Sequence, residues 1–414
     1  MVKNLPAHRS LLLITVLLVL PVLSPAQLVI GQYEDEAPLR TWNTFGLATA
    51  SAIGRGETIL ALADDGSAAF SNPALLAGLP KLTLSFNGGY AWTSLYRFSI
   101  VNTGVLASGK NLGVGLFSID FGGVSFRLKG WTFALSAALG EIYDRPRFFV
   151  ESTYAGSPYS SLLFDQSGFL RTINLAVARP IGGRIQVGTG LNFVRGELER
   201  TSEDDYIQDG ITISQRISQR FSGFYLNGGL LARITDRLDL AAAFRTPYDK
   251  KSESASSLRY RAPAGGTDIL IDGSSDDLYR QPWAAGLGAK YALSPKFRLL
   301  GDLIYFHWPE YKATYFGETD NRDFVAAFKA AAGGEFKTPI RPFRKDASLA
   351  LRFGFGFDRQ PMRRPRSAYS SVTLGAGLHF RTIRLDLGGQ YGHESGSGRG
   401  LNFVRASFSL GIVL

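Results

Sequence analysis

Period-two hydrophobicity in segments of about ten residues constrains this chain more than any other feature. In 347–357, Leu349, Leu351, Phe353, Phe355 and Phe357 alternate with Ser348, Arg352, Gly354 and Gly356. In 372–380, Val372, Leu374, Ala376, Leu378 and Phe380 oppose Thr373, Gly375, Gly377 and His379. In 383–391, Ile383, Leu385, Leu387 and Tyr391 oppose Arg384, Asp386 and Gln390. In 404–414, Val404, Ala406, Phe408, Leu410, Ile412 and Leu414 oppose Arg405, Ser407, Ser409 and Gly411. Ten residues is the length a tilted strand needs to cross the hydrocarbon layer. Arg352, Arg384 and Arg405 stand mid-strand on the polar face, which a barrel turns to its lumen. A soluble sandwich would also alternate, but a chain of this length would need several such domains, and no linker divides it.

Counting back from the last segment gives strands near 399–412, 383–393, 370–380, 346–358, 323–335, 297–312, 280–291, 238–262, 209–233, 184–202, 167–179, 131–141 and 110–120. Leu82, Leu84, Phe86, Tyr90, Trp92, Tyr96, Phe98 and Ile100 keep one parity, so 81–102 reads as one further long strand or as a hairpin. As one strand it makes the expected total 14, an even number with both ends on one side of the membrane. Tight links at 180–183, 234–237 and 381–382 alternate with long ones at 142–166, 263–279, 313–322 and 359–369, as periplasmic turns alternate with outer loops. Two links, 336–345 and 120–130, are longer than their periplasmic side predicts.

The first 26 residues read as a cleaved secretory leader. Lys3 and Arg9 are basic, 11–20 is apolar, and Ser24 and Ala26 are small residues before Gln27. The apolar run is short of the roughly 20 residues of a helical span. With no other apolar helix in the sequence, an exported chain of 45% hydrophobic residues is either periplasmic or spans as a barrel. The chain has no cysteine, which excludes disulfides, a thiolate metal site and a Cys nucleophile. The histidines, His8, His307, His379 and His393, show no metal-ligand spacing, and neither a nucleophile elbow nor a phosphate-binding Gly loop occurs. The expectation is therefore no enzyme, no metal and no cofactor. The formal charge of +10 is spread over strands and loops without a basic helix, so lipopolysaccharide is a better partner than nucleic acid.

Residues 27–80 do not alternate. Glu57–Asp65 reads as a short helix and 66–79 as a turn-rich piece, and their Ala and Leu content suits packing as a plug inside the lumen. The alternative is a periplasmic tail. Asn72 before Pro73 is a good helix start. Asp64 and Asp65 oppose the dipole of the expected helix, and suit pairing with basic lumen residues or capping the next turn more than acid catalysis. The stretch from Ala61 to Leu79, with Asp64, Asp65 and the element Asn72-Pro73-Ala74 followed by Leu75-Leu76-Ala77, resembles the N-terminal hatch of the FadL/TodX family of outer-membrane hydrophobic-compound transporters. That family has Gly where Leu75 stands. Asp302 to Tyr311, with Tyr305 and Trp308, resembles a family strand, as do Phe244–Pro247 and Arg352–Asp358.

The resemblance implies a multi-pass bacterial outer-membrane barrel. It would have a leader (1–26), a hatch (27–80) and a barrel (81–414), and would be a monomer placed by the barrel assembly machinery. It implies passive uptake of hydrophobic compounds such as long-chain fatty acids or hydrocarbons, with a lateral exit beside a kinked strand. Scaffold barrels of the PorV type resemble the same family, hold secretion partners and carry no small molecule; they are the alternative. Gly122-Gly123 reads first as a periplasmic turn, and otherwise as the kink. Arg359, Arg363, Arg364 and Arg366 crowd one outer link, either as a solvated loop or as a contact for lipopolysaccharide phosphates or carboxylate headgroups.

Overall fold

The computed structural model describes residues 45–94, 101–102, 105–108, 113–154, 156–263, 266–320, 323–342, 345–364, 366–396 and 400–414. The expected leader, residues 27–44 of the expected hatch, and Tyr96, Phe98 and Ile100 lie outside them.

Among the described residues, 14 antiparallel strands close into a barrel. In chain order they are β1 (Leu82–Ser94), β2 (Gly113–Leu128), β3 (Trp131–Ile142), β4 (Ser157–Ile181), β5 (Ile185–Tyr206), β6 (Ile211–Arg233) and β7 (Leu238–Arg245). There follow β8 (Ala284–Ala292), β9 (Phe297–Phe306), β10 (Ala327–Ile340), β11 (Ala347–Arg359), β12 (Ala368–His379), β13 (Ile383–Ser395) and β14 (Asn402–Val413). Each pairs with its chain neighbours, and β14 returns to β1 from Thr83↔Val413 to Thr93↔Phe403, so no free edge remains at the seam.

The alternation is inverted relative to a soluble protein. On β11, Leu351, Phe353 and Phe355 are exposed while Ala350 and Arg352 are buried. On β13, Leu385 and Leu387 face out and Asp386 and Gln390 face in. On β14, Phe408 and Leu410 face out while Arg405, Ser407 and Ser409 are buried. An apolar outer wall around a polar interior is the solution a lipid solvent imposes, because every backbone polar group must be paired within the sheet.

Several expected boundaries move. The Gly122-Gly123 turn is not present. β2 runs on to Leu128, with Gly122 paired to Phe86 and Ala137 and Gly123 to Ser85 and Ser136. The turn falls at Lys129-Gly130, where φ is +50° and +82°. A Cβ on Gly123 would lie 2.5 Å from Ser136 Oγ and 2.9 Å from the Phe121 ring, so this glycine makes room for a side chain rather than for a turn. The expected strand 238–262 is interrupted at Thr246-Pro247, and the expected 263–279 loop contains a strand, Ile269–Gln281. Tyr248–Arg261 and Ile269–Gln281 carry β7 and β8 outward as a hairpin beyond Pro247 and Pro282, residues that have no N–H to give a ladder. The 336–345 link shortens because β10 continues to Ile340.

The expected helix at Glu57–Asp65 is also absent. The helix lies earlier, at Ala50–Gly54 (α1), and Gly56 and Glu57 end it with φ of +75° and +67°. The dipole argument for Asp64 and Asp65 lapses with it. One further turn of helix, Ala68–Ser71 (α2), precedes a 3-10 helix at Pro73–Gly78. The Asn72 side chain caps the latter, accepting from the Ala74 N–H at 3.2 Å, with Pro73 in its first turn.

Candidate functional site: a hatch, a charged seam and a side opening

Residues 45–79 are almost wholly buried inside the barrel. Backbone groups that their short helices leave unpaired hydrogen-bond to wall side chains. The Ala50 N–H donates to Asn87 Oδ1 on β1 (3.0 Å) and to Ser409 Oγ on β14 (3.1 Å). The N–H groups of Ile59 and Leu60 donate to Asp302 Oδ2 at 2.6 and 2.9 Å. Asn72 Nδ2 donates to the carbonyls of Leu60 (2.7 Å) and Leu230 (3.2 Å). Three buried asparagines on adjacent strands, Asn174, Asn192 and Asn227, form a chain of 2.8 Å bonds, and its two ends donate to the Ala69 carbonyl. Arg127 donates to the carbonyls of Ala77 and Leu79. Such close approach needs bare wall. A Cβ on Gly229 would sit 1.9 Å from Asn72 Oδ1, and one on Gly333 2.2 Å from the Arg55 carbonyl.

Charge ties the hatch to β9 through β14. The buried Arg55 guanidinium meets Asp64 at 2.6 Å and Glu335 at 3.0 Å. Glu335 also binds Arg298 and, at 2.6 Å, Arg352, which passes on to Asp386 at 2.7 Å. Glu57 pairs with Lys329 and, at 3.3 Å, with Arg405. Burial pushes the Asp64 carboxyl up, but Arg55, Arg352 and Arg298 outweigh it and hold Asp64 well below its ordinary range. Asp65 is different: burial raises it, against bonds from the Ser67 N–H and Thr49 Oγ1, both 2.9 Å. Asp64 is thus an ion-pair partner and Asp65 a turn cap. Of the hatch residues singled out in the sequence, Asn72, Pro73 and Ala74 gather at the 3-10 start, against β5 and β6.

Next to the hatch the wall lapses. The β2–β3 ladder ends at Phe121↔Ala138, and among the described residues no β2–β3 pair continues toward the long-loop end. Asp120 is an extra residue there: β1 pairs Asn87 with Phe121 but Gly88 with Ile119. Across the gap β3 bulges at Leu139/Glu141. Between them opens a small recess lined by Ser118, Asp120, Leu139, Glu141, Arg405 and the hatch residue Leu47. Leu47 clusters with Phe70, Phe121 and Ala138, and the Phe70 and Phe121 rings meet edge-on at 6.2 Å. The register irregularity on β2 falls at Asp120, next to the Gly122-Gly123 pair.

Toward the long loops the lumen above Ile59 and Leu60 is filled by buried aromatics, among them Tyr143, Phe221, Tyr279, Phe306, Trp308 and Tyr311. On the outer rim, Arg363, Arg364 and Arg366 are exposed in the β11–β12 link, with Arg359 half-buried at the end of β11. Arg363 Nε contacts Asp323 at 2.8 Å.

No protein-family model and no curated protein matches the sequence. Solved structures do. A Pseudomonas aeruginosa FadL homologue superposes with TM-score 0.67 at 15% identity, over 89% of this chain and 99% of that one. The chain has the FadL/TodX fold. The Pseudomonas putida toluene transporter TodX gives 0.63 at 15% identity, over 90% of this chain and 99% of its own. The Ralstonia pickettii toluene transporter TbuX gives 0.61 at 13%, over 90% and 99%. Within the FadL/TodX fold of this chain, sequence reasoning missed Arg55, Glu335, Asp120 and the asparagine chain. The mid-strand Arg352 and Arg405 were visible on the polar face; the hatch carboxylate that Arg405 meets, Glu57, 348 residues away, was not.

Proposed function

We propose that this barrel sits in a bacterial outer membrane and carries hydrophobic molecules passively inward, releasing them sideways between β2 and β3. The observation that carries the reading is the lapse in the β2–β3 ladder, because the recess behind it reaches Leu47 of the hatch. The hatch obstructs the straight axial path, and a lateral path spares an apolar solute the aqueous periplasm. The aromatic filling of the outer lumen offers such a solute contact surface.

Sealing the gap tests this. Skipping the extra residue Asp120, the next pair up the ladder is Ile119 with Leu139. Cysteines at both, in a chain without native cysteine, are expected to make uptake of toluene and oleate fall at least several-fold on oxidation and recover on reduction. Unchanged uptake in a fully oxidised barrel would remove lateral release. Co-purification of a secretion partner, with no uptake by the parent protein, would favour the scaffold alternative.

The Arg359, Arg363, Arg364 and Arg366 loop is read as a collector of carboxylate headgroups. Replacing all four with Gln is expected to slow oleate uptake several-fold and leave toluene unchanged. Equal loss of both would assign the loop to lipopolysaccharide or to folding.

A further inference from the structure

Among the described residues, six short turns join strands at the end of the barrel that faces the periplasm. Five of them repeat one composition, an exposed cation beside an exposed large apolar residue. The β2–β3 turn has Lys129 between Leu128 and Trp131, and the β4–β5 turn has Arg184 between Ile181 and Ile185. The β6–β7 turn has Arg237 with Ile234, the β8–β9 turn Lys296 with Leu293, and the β12–β13 turn Arg381 with Ile383. Arg179 adds a sixth exposed cation, its guanidinium 4.9 Å from the centre of the Trp131 ring. Asp236 is the one acidic residue within these five turns. Among the described residues, none of the six cations forms an ion pair. The remaining short turn, between β10 and β11, supplies its own acid: Arg341 meets Asp346 at 3.0 Å.

The cations stand close together. The Arg233 N–H donates to the Arg184 carbonyl at 2.7 Å, and the Ala292 N–H to the Arg237 carbonyl at 2.8 Å, so successive turns are held side by side. Like charges set on neighbouring strands repel, and apolar side chains at turn tips are left to water unless something covers them. The apolar residues continue the lipid-facing parity of their strands: Leu128 follows Phe126, Ile181 follows Leu175, Ile234 follows Leu230, and Ile383 precedes Leu385. They point to the membrane and not to the mouth of the barrel, so an acidic soluble protein would answer the charge alone. One neighbour answers both, a layer with phosphates at its surface and acyl chains behind them. We propose that these five turns form a collar that binds the headgroups of anionic phospholipids in the inner leaflet of the membrane. The apolar residues enter the acyl layer, while Lys129, Arg184, Arg237, Lys296 and Arg381 reach the phosphates along flexible stems. Trp131, with Arg179 on its face, takes the interfacial position that suits an indole. Phosphatidylethanolamine brings its own ammonium to each phosphate, so the collar favours headgroups without one. The collar is independent of what the lumen carries.

The test is the lipid that stays with the full barrel. The protein is reconstituted into vesicles of phosphatidylethanolamine and phosphatidylglycerol, extracted gently, and weighed intact with its bound lipid by native mass spectrometry. The parent is expected to retain phosphatidylglycerol several-fold above its share of the vesicle, and to lose that excess at high salt. Replacing all five cations, Lys129→Asn with Arg184→Gln, Arg237→Gln, Lys296→Gln and Arg381→Gln, is expected to bring the ratio down to that of the vesicle, with the heat-modifiable migration of a folded barrel unchanged. Asn is used at Lys129 because φ there is +50°, which Asn tolerates. The conservative set Arg184→Lys, Arg237→Lys, Lys296→Arg and Arg381→Lys is expected to keep the excess. If the five-residue variant does not insert, Arg237→Gln with Lys296→Gln alone is expected to remove part of it. A parent with no excess overturns the proposal and leaves the cations to a soluble acidic partner. An excess that survives neutralisation in a folded barrel overturns it as well.

Discussion

Removing residues 405–414 is expected to abolish insertion of the barrel. The deletion takes away nearly all of β14, and with it the partners of β1 from Thr83 to Ala91 and of β13 from Ile383 to Gln390. Both strands then face lipid with unpaired N–H and C=O groups, each costing several kcal/mol in hydrocarbon, on the order of the whole stability of a domain after only a few. The hatch also loses Ser409 and Arg405. By contrast Leu414→Phe is expected to be tolerated, because Leu414 is exposed and holds its place through backbone bonds with Leu82. Heat-modifiable migration of the membrane fraction separates these outcomes. A truncated chain that still migrates as a compact barrel would mean that β14 is not the closing strand.

Replacing Glu335 with Leu is expected to release the hatch without destroying the wall. Among the described residues Glu335 is the one carboxylate that pairs with all three of Arg55 of the hatch, Arg298 of β9 and Arg352 of β11. Removing one partner of a buried charge cluster leaves cations facing each other without compensation, at a cost of about 3–5 kcal/mol. Arg55 retains Asp64, whose own ties to the wall are weaker: a 4.0 Å approach of Arg298 to its carboxylate and a bond from Arg384 to its carbonyl. The wall pairing Glu335↔Arg352 is a backbone register and survives. The expected result is a leaky barrel: sensitivity to bulky hydrophilic antibiotics rises, and sugar-driven swelling of liposomes appears. Normal surface level with the parent's impermeability would show that the remaining ties, among them the asparagine chain, Asp302 and the Glu57 pairs with Lys329 and Arg405, hold the hatch without Glu335.

The wall was largely legible in the sequence, because lipid outside and a polar lumen inside impose opposite chemistry on successive residues. Phe353 and Arg352 could be assigned to opposite faces from their parity alone. Strand ends were less legible where glycine serves packing. Gly122-Gly123 has the composition of a turn, yet Gly123 yields its space to the Phe121 ring, and the turn is made by Lys129-Gly130. Pro247 and Pro282 interrupt strands that the alternation alone carried through them, and the hairpin continues beyond both. The hatch was legible as a segment that fails to alternate. Its partners were not, since Arg55–Glu335 and Glu57–Arg405 join groups that no local pattern relates. The side opening was hidden for a related reason, because one extra residue, Asp120, leaves the alternation around it nearly intact.

The amide of Ala50 gives the hatch a role in the order of events. It donates to Asn87 on the first strand and Ser409 on the last, while Ser407 and Ser409 hydroxyls both donate to Asn87 Oδ1. The seam thus supplies a complete docking site only when both strands are present. Conversely, a seated hatch lowers the free energy of bringing those strands together, by linkage. Shutting the cylinder and filling it are therefore two halves of one cooperative step, and an empty closed barrel is a poorly populated state of this chain.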